Sequence, residues 1–122
     1  MLVRVLGSAA GGGVPQWNCG CEYCAAAARD PALARTGCSV AVSADGSAWT
    51  VLNAAAELPC QLAGFPALRP RCGTRETPLA QIVLTDAELD HTLGLLMLRQ
   101  AAALTVAATP TVRSSVTPTA EL

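Results

Sequence analysis

Apolar and polar positions alternate in short blocks along the chain, which predicts strands and helices that follow one another within a single domain of 122 residues. Period-two alternation and short apolar runs predict strands at residues 2–6, 39–43, 49–53, 79–84 and 104–108. Apolar residues at helical spacing and helix-favouring composition predict helices at residues 25–29, 57–65 and 92–103. Thr109-Pro110 predicts the start of a last helix, which has hardly begun before Thr117-Pro118. This order of elements is typical of a layered α/β domain.

Two connections between these elements can be interpreted more closely. Asp45-Gly46 predicts a tight hairpin, because this dipeptide tolerates the positive φ that such turns require. The apolar run at 79–84 is interrupted only by Gln81, as expected of a buried strand, and acidic residues follow it at once. Ligands in α/β sheets bind at the carboxyl ends of strands, so functional residues are expected at the end of this strand.

Composition narrows the classes of function. The formal net charge is −1, and all eight basic residues are arginines scattered along the sequence. Nucleic-acid binding needs a basic stripe, so we expect no nucleic-acid partner. The most apolar stretch, 93–108, is cut by Arg99 and Gln100 and falls short of the ~20 apolar residues of a membrane span. Since the N-terminus carries no export signal, we expect a cytoplasmic protein whose thiols stay reduced.

Three of the six cysteines fall close together after a triple-glycine loop and form what we name the cysteine cluster: Cys19, Cys21 and Cys24. Thiolates bind zinc, and a flexible loop can wrap three of them around one ion. The alternative is that the three are small buried side chains, since free cysteine is commonly buried. Core cysteines rarely gather in a polar loop, so the spacing favours a structural zinc site.

The fourth ligand of this zinc site is left open by the sequence. Cys38 is nearest along the chain, and Cys60 and Cys72 are further alternatives. Packing in the core is the ordinary role of such isolated cysteines, and we expect it for Cys60 in particular.

A second group of ligand-type residues follows the buried strand at 79–84. Asp86, Glu88 and Asp90 lie at alternate positions, and His91 is the only histidine of the chain. Carboxylate with imidazole suits iron(II), manganese or zinc, so this group predicts a reactive metal site. The alternative is that acidic residues merely favour the first turn of the following helix, and spacing alone does not decide between the two.

The triple-glycine loop, 11–13, has the composition of a phosphate-binding loop but not its motif. It lacks both the Gly-Lys-Ser/Thr ending of a P-loop and the spaced glycines of a dinucleotide fingerprint. We therefore interpret it as a tight turn from strand to loop beside the metal region.

The combination of these motifs closely resembles the coenzyme PQQ synthesis protein B family, which has the metallo-β-lactamase fold. The resemblance runs from residue 2 to about residue 116 and is carried by the segments 5–24, 39–46, 49–53 and 84–96. It implies a metallo-β-lactamase-like αββα sandwich, of which residues 1–122 form the N-terminal half. Members of that family continue through a second half with further histidines. We therefore expect an incomplete or truncated form, with an exposed apolar sheet face that favours self-association.

The resemblance also implies a function. Relatives with this fold carry His-x-His-x-Asp-His after a buried strand, and Asp86 and Glu88 stand here where the first two histidines would be. Asp90 and His91 would then be catalytic metal ligands for iron(II), while Asp86 and Glu88 would contact those ligands or the substrate. The implied reaction is iron-dependent hydroxylation of the tyrosine ring in a Glu–Tyr-derived precursor of pyrroloquinoline quinone (PQQ). An alternative implied role is a non-catalytic carrier in the transport of PQQ to the periplasm.

Overall fold

A computed structural model of the chain describes residues 1–101 and 103–120 and has the expected α/β architecture. The strands are β1 (Leu2–Gly7), β2 (Ser39–Ser43), β3 (Trp49–Leu52), β4 (Leu79–Val83) and β5 (Val106–Ala107). The helices are α1 (Glu22–Arg29), α2 (Leu58–Gly64), α3 (Leu89–Thr92) and α4 (Pro110–Ala120). Short 3₁₀ segments lie at Pro31–Leu33, Pro66–Leu68 and Leu93–Leu98.

The five strands form one mixed sheet in which spatial order follows chain order, β1-β2-β3-β4-β5. The pairs β1–β2 and β2–β3 are antiparallel, whereas β3–β4 and β4–β5 are parallel. Parallel pairing of β3 with β4 needs a crossover, which α2 provides. Because the two strands are parallel, their carboxyl ends meet at the same edge of the sheet.

One face of the sheet carries the hydrophobic core. Its buried cluster consists of Ala41, Trp49, Val51, Ala54, Leu58, Leu68, Ile82 and Leu84. Trp49 closes one side of this core, where its ring meets that of Phe65 edge-on with the centroids 5.0 Å apart. The aromatic content is low, so small and branched aliphatic side chains fill most of the core, as the composition predicts.

The opposite face of the sheet is also apolar. Side chains alternate along a strand, so the neighbours of the core residues on β2 and β3 point to this second face. Register places them beside residues of β1 in what we name the valine face: Val3, Val5, Val40, Val42 and Leu52. Val3 and Val5 are 58% and 57% exposed. This is the exposed apolar sheet face that we expected from the resemblance.

The predicted strands before residue 84 are confirmed to within one or two residues at their ends. The hairpin between β2 and β3 is confirmed too, although its loop is wider than a two-residue turn. Gly46 adopts φ +92°, and its N–H donates to the hydroxyl of Ser43. The last strand, expected at 104–108, is reduced to the two residues of β5.

The helix predicted at 92–103 is wrong in type and extent. Four residues of α3 are followed by a 3₁₀ segment from Leu93 to Leu98, and residue 102 of the predicted helix lies outside the described residues. An α-helix would join the N–H of Gly94 to the carbonyl of Asp90. That N–H instead donates to the carbonyl of Ala54, at 2.9 Å. A side chain at position 94 would collide with the Ala54 and Ala55 carbonyls, so the close approach requires glycine.

Two other helices are longer than predicted. Helix α1 begins at Glu22 rather than at residue 25, because the sulfur of Cys21 caps it. Helix α4 begins where predicted, with the Thr109 hydroxyl accepting from the N–H of Val112, but it continues for 11 residues through Pro118. No helix within the described part of the chain has both the length and the apolar character needed to cross a membrane.

Candidate metal sites

The three sulfurs of the cysteine cluster lie close together. Their Sγ atoms are all within 4.8 Å of one another, with Cys24 buried and Cys21 exposed. Zn–S bonds of about 2.3 Å in a tetrahedron place sulfurs ~3.8 Å apart, so a small closure of the loop would bring these three around one ion. The cluster therefore fits a zinc ion as three of its four ligands.

Local backbone structure sets the acidity of these thiols. The N–H of Cys24, in the first turn of α1, approaches the sulfur of Cys21 at 3.5 Å and lowers the pKa of that thiol. The N–H of Gln16 approaches the sulfur of Cys24 at 3.4 Å and acts in the same direction there. Burial and the neighbouring sulfurs act against it, so the pKa of Cys24 is raised overall. Cys21 is thus more readily present than Cys24 as a thiolate, the form that binds metal.

The other three cysteines do not complete this site within the part of the chain that the structure describes. Cys38, Cys60 and Cys72 are exposed free thiols, and none of them joins the group of potential ligands. The expectation that Cys60 packs in the core is wrong. Leu58 and Gln61 occupy the buried side of α2, and Cys60 between them faces outward.

The carboxyl ends of β3 and β4 are tied together by Asn53 and Thr85. The Oδ1 atom of Asn53 accepts from the backbone N–H of Thr85 at 3.0 Å, and the Thr85 hydroxyl lies at the same distance. Asn53 is 7% exposed and has φ +62°, a left-handed conformation that asparagine tolerates better than most residues. This connection fixes the start of the acidic segment against the sheet.

Asp86 and His91 form a hydrogen-bonded pair at this edge of the sheet. The Nδ1 atom of His91 lies 2.8 and 2.9 Å from the two carboxylate oxygens of Asp86. Hydrogen bonds from the Thr85 hydroxyl and from the imidazole hold the pKa of Asp86 below its ordinary value. An ionised carboxylate at Nδ1 selects the tautomer with its proton on that nitrogen, which leaves Nε2 as the free lone pair for a metal.

Asp90 lies on the other side of the same imidazole. One of its carboxylate oxygens is 4.0 Å from Nε2 of His91. The backbone of Gly11 packs against Asp90, since a Cβ built on Gly11 would lie 2.9 Å from the aspartate Cβ. The structure thus brings Asp90, His91 and the glycine loop together, with a nitrogen and a carboxylate oxygen adjacent.

Glu88 has a different position from the other two acidic residues. Its side chain is exposed, whereas its backbone N–H donates to Asp86 and its carbonyl accepts from the N–H of His91. Sequence spacing suggested that the three carboxylates share one side. The structure directs only those of Asp86 and Asp90 toward the imidazole. A cleft of about 400 Å³ opens beside Asp90, lined also by Gly11, Glu57 and Leu93.

The fold that carries these residues is shared with known proteins. A family model described as Beta-lactamase superfamily domain matches residues 48–122. The chain belongs to the β-lactamase superfamily. Its fold also matches the crystal structure of Zn²⁺-bound PqqB from Methylobacterium extorquens, with a TM-score of 0.89 and 44% identity over 95% of this chain and 42% of that one.

Sequence relatives agree with that assignment to the superfamily. Coenzyme PQQ synthesis protein B of Rhodopseudomonas palustris (strain TIE-1) is 50% identical over 87% of this chain and 35% of its own length. Its namesake in Methylorubrum populi is 48% identical over 95% of this chain and 40% of its own length. The chain is thus a PqqB homologue, and it spans little more than a third of these relatives' length.

A more distant solved structure extends the comparison of folds. A diphosphatase from the PhnP family matches with a TM-score of 0.77 and 24% identity, covering 98% of this chain and 46% of that one. At this identity the likeness concerns the fold alone. The mixed five-stranded sheet is therefore part of the metallo-β-lactamase fold, as the resemblance implied.

Sequence reasoning missed the role of Asn53. The sequence pattern predicts this residue at the end of a strand and indicates no contact for it. Its position directly after an apolar strand, opposite the end of the next parallel strand, is a usable indication of a site residue. This indication can be used only once the pairing of β3 with β4 is known.

Proposed function

We propose that these residues form part of an iron-dependent hydroxylase in PQQ synthesis, acting on the tyrosine ring of a Glu–Tyr-derived precursor. The observation that carries the proposal is the pair formed by Asp90 and His91 at the carboxyl end of β4, in a chain homologous to PqqB. Imidazole and carboxylate are the donors that non-haem iron(II) sites use. The cleft of about 400 Å³ beside Asp90 gives a small precursor room next to them.

In this proposal each residue has a distinct task. His91 presents Nε2 to the metal, because Asp86 holds its Nδ1–H at 2.8 Å. Asp90 adds a carboxylate oxygen, and the backbone of Gly11 packs against it and limits its movement. The cysteine cluster, with zinc bound, fixes the loop that follows β1. That loop includes Gly11, which packs against Asp90, so the structural zinc supports the reactive site indirectly.

Iron(II), when bound, supplies the activation of dioxygen that ring hydroxylation requires. A facial triad takes two histidines and one carboxylate, and this chain contains a single histidine. Asp90 and His91 therefore fit two of the three donors and do not hold the metal as a triad by themselves. We propose that the missing histidine belongs to the region of the relatives that these 122 residues do not match.

Anaerobic iron(II) titration tests the metal-binding part of the proposal. Wild type should bind iron(II) weakly, since two protein ligands give little chelation, and His91→Ala should remove that binding. Zinc content at the cysteine cluster should be the same in both, because the two sites use different ligands. A Thr111→Ala variant, on exposed α4, serves as the control and should bind as wild type does. Equal iron binding by wild type and His91→Ala would contradict the site.

A complementation assay tests the chemistry. The chain is mixed with the unmatched remainder of the M. populi relative, iron(II) and a Glu–Tyr peptide, and the product is analysed by mass spectrometry. We expect the gain of one oxygen atom in the mixture, little turnover by the chain alone, and none with His91→Ala. Binding of PQQ without oxygen consumption would instead favour the carrier role.

A further inference from the structure

Two cysteines of the cluster lie at the beginning of helix α1, three positions apart. Cys21 is the N-cap residue of this helix, and its sulfur accepts from the backbone N–H of Cys24 at 3.5 Å. Between them lie Glu22 and Tyr23, both exposed. The first turn of the helix therefore holds the two sulfurs next to each other, whether or not a metal ion is bound.

The spacing of this pair fits a disulfide bond. Residues three positions apart in a helical turn have Cα atoms about 5 Å apart, which lies within the range of about 4.4–6.8 Å found in disulfides. The Sγ atoms of Cys21 and Cys24 lie within 4.8 Å of each other. Cys19 precedes the helix in the loop, so no helical turn sets its distance from the other two. The geometry thus favours a bond between Cys21 and Cys24 and leaves Cys19 as the third thiol.

The two sulfurs differ in their access to solvent. Cys21 is exposed, whereas Cys24 is only 6% exposed. A small oxidant in solution therefore meets the sulfur of Cys21 first, with the sulfur of Cys24 in reach behind it. An accessible cysteine beside a second thiol is the usual arrangement of redox-sensitive cysteines. Cys72 is exposed as well, but it lies outside this group of sulfurs.

We propose that Cys21 and Cys24 form a peroxide-sensitive dithiol pair, which closes to a disulfide and releases the zinc ion of the cysteine cluster. The sulfur of Cys21 attacks one oxygen of hydrogen peroxide, and the O–O bond breaks to leave a sulfenic acid and one water. The sulfur of Cys24 then attacks that of Cys21, and the S–O bond breaks to release a second water. Each sulfur loses one electron, and these two electrons reduce the peroxide. In the zinc-bound protein both sulfurs are thiolates, so solvent supplies the two protons.

Disulfide formation removes two thiolate ligands from the zinc site. The single thiolate of Cys19 does not hold the ion, since structural zinc takes four ligands. Oxidation thereby loosens the loop after β1, which includes the Gly11 that packs against Asp90. The chemistry of the pair involves neither iron nor the PQQ precursor, so it is tested independently of the function proposed above.

Peroxide treatment of the zinc-loaded protein tests the pairing. Trypsin releases residues 5–29 as one peptide, which contains the whole cysteine cluster and no other cysteine. Iodoacetamide labels the thiols that remain free before digestion, and N-ethylmaleimide labels the others after reduction. We expect this peptide to lose two hydrogen atoms, with iodoacetamide on Cys19 and N-ethylmaleimide on Cys21 and Cys24. A chromogenic chelator should detect zinc release in step with the disulfide, and dithiothreitol should reverse both changes.

Variants separate the pair from the third thiol in zinc-free protein. Cys19→Ser should still form the disulfide, whereas Cys21→Ser should lose it. Cys24→Ser should stop at the sulfenic acid of Cys21, which dimedone traps. Cys72→Ser is the matched control at an exposed thiol outside the group, and it should react as wild type does.

Three results would overturn the proposal. The first is iodoacetamide on Cys21 or Cys24 in oxidised wild type, and the second is equal disulfide formation in wild type and Cys21→Ser. The third is release of zinc by peroxide without a disulfide in the peptide 5–29. The labels in wild type decide the pairing without any substitution, which matters because Cys24 is buried and its replacement changes the packing there.

Discussion

Substitution of Asn53 tests whether the connection between β3 and β4 organises the site. The residue contributes in two separable ways. Its side-chain oxygen accepts from the N–H of Thr85 at 3.0 Å, and its backbone occupies the left-handed region at φ +62°. Asn53→Gly removes the first contribution and keeps the second. Asn53→Ala removes both, whereas Asn53→Asp retains an acceptor oxygen and a residue type that tolerates the left-handed conformation.

The magnitudes follow from these contacts. Loss of the acceptor leaves a partly buried N–H unsatisfied, which costs about 1–2 kcal/mol of the free energy of unfolding. Alanine adds about 1–2 kcal/mol more, because its Cβ clashes in the left-handed conformation. We therefore expect Asn53→Ala to lose about 2–4 kcal/mol and Asn53→Gly about half as much. Asn53→Asp should remain the nearest to wild type.

Urea unfolding of the zinc-saturated protein at pH 7 measures these differences. The chain has two tryptophans, and Trp17 is 91% exposed while Trp49 is 4% exposed. A Trp17→Phe background therefore lets fluorescence report on the buried Trp49 alone without disturbing the core. If the glycine and alanine variants have the same stability, the argument from backbone conformation is wrong. If all three match wild type, the Asn53–Thr85 contact contributes nothing.

Three further predictions concern the cysteines and the valine face. Replacement of all three cysteines of the cluster by serine should abolish stoichiometric zinc binding, and a chelator should lower the melting temperature of the wild type but not of this variant. Metal analysis and calorimetry measure the two effects, and an unchanged zinc content would contradict the site. In the zinc-free protein, iodoacetamide should modify Cys21 faster than the exposed Cys72 as the pH rises toward neutrality, because the lowered pKa of Cys21 gives thiolate at lower pH. Equal rates for the two thiols would refute this prediction. Val5→Lys should reduce self-association in sedimentation experiments, whereas Leu33→Lys, also at an exposed apolar position, should not. Equal effects of the two substitutions would show that the valine face is not the surface through which copies associate.

Elements with a local pattern can be predicted from the amino-acid sequence. The strands β1 to β4 follow from period-two alternation, apolar runs and turn residues, all of which act over a few neighbouring positions. The cysteine cluster can be found in the same way, because its three sulfurs lie within one loop and one helical turn. The short spacing of the three cysteines along the chain therefore keeps their sulfurs close together in space.

The local sequence pattern gives wrong predictions where backbone or side-chain contacts are made with distant parts of the chain. The segment after His91 has apolar residues at helical spacing, yet the N–H of Gly94 is taken by the carbonyl of Ala54 from another part of the chain. The sequence predicts Cys60 in the core, but this residue is exposed, because Leu58 and Gln61 are the residues of α2 that are buried. Both errors arise because tertiary contacts override local preference.

The way in which the candidate site residues meet depends on contacts between distant parts of the chain. Asn53 and Thr85 are 32 positions apart, and they touch because β3 and β4 pair in parallel with their ends at one edge. That contact places Asp86 at Nδ1 of His91 and leaves Nε2 facing Asp90. The spacing of Asp86, Glu88 and Asp90 at alternate positions predicts that their carboxylates share one side of the segment. It does not predict which of them contact the imidazole of His91. The register of β3 and β4 determines these contacts, because it sets the position at which the acidic segment leaves the sheet.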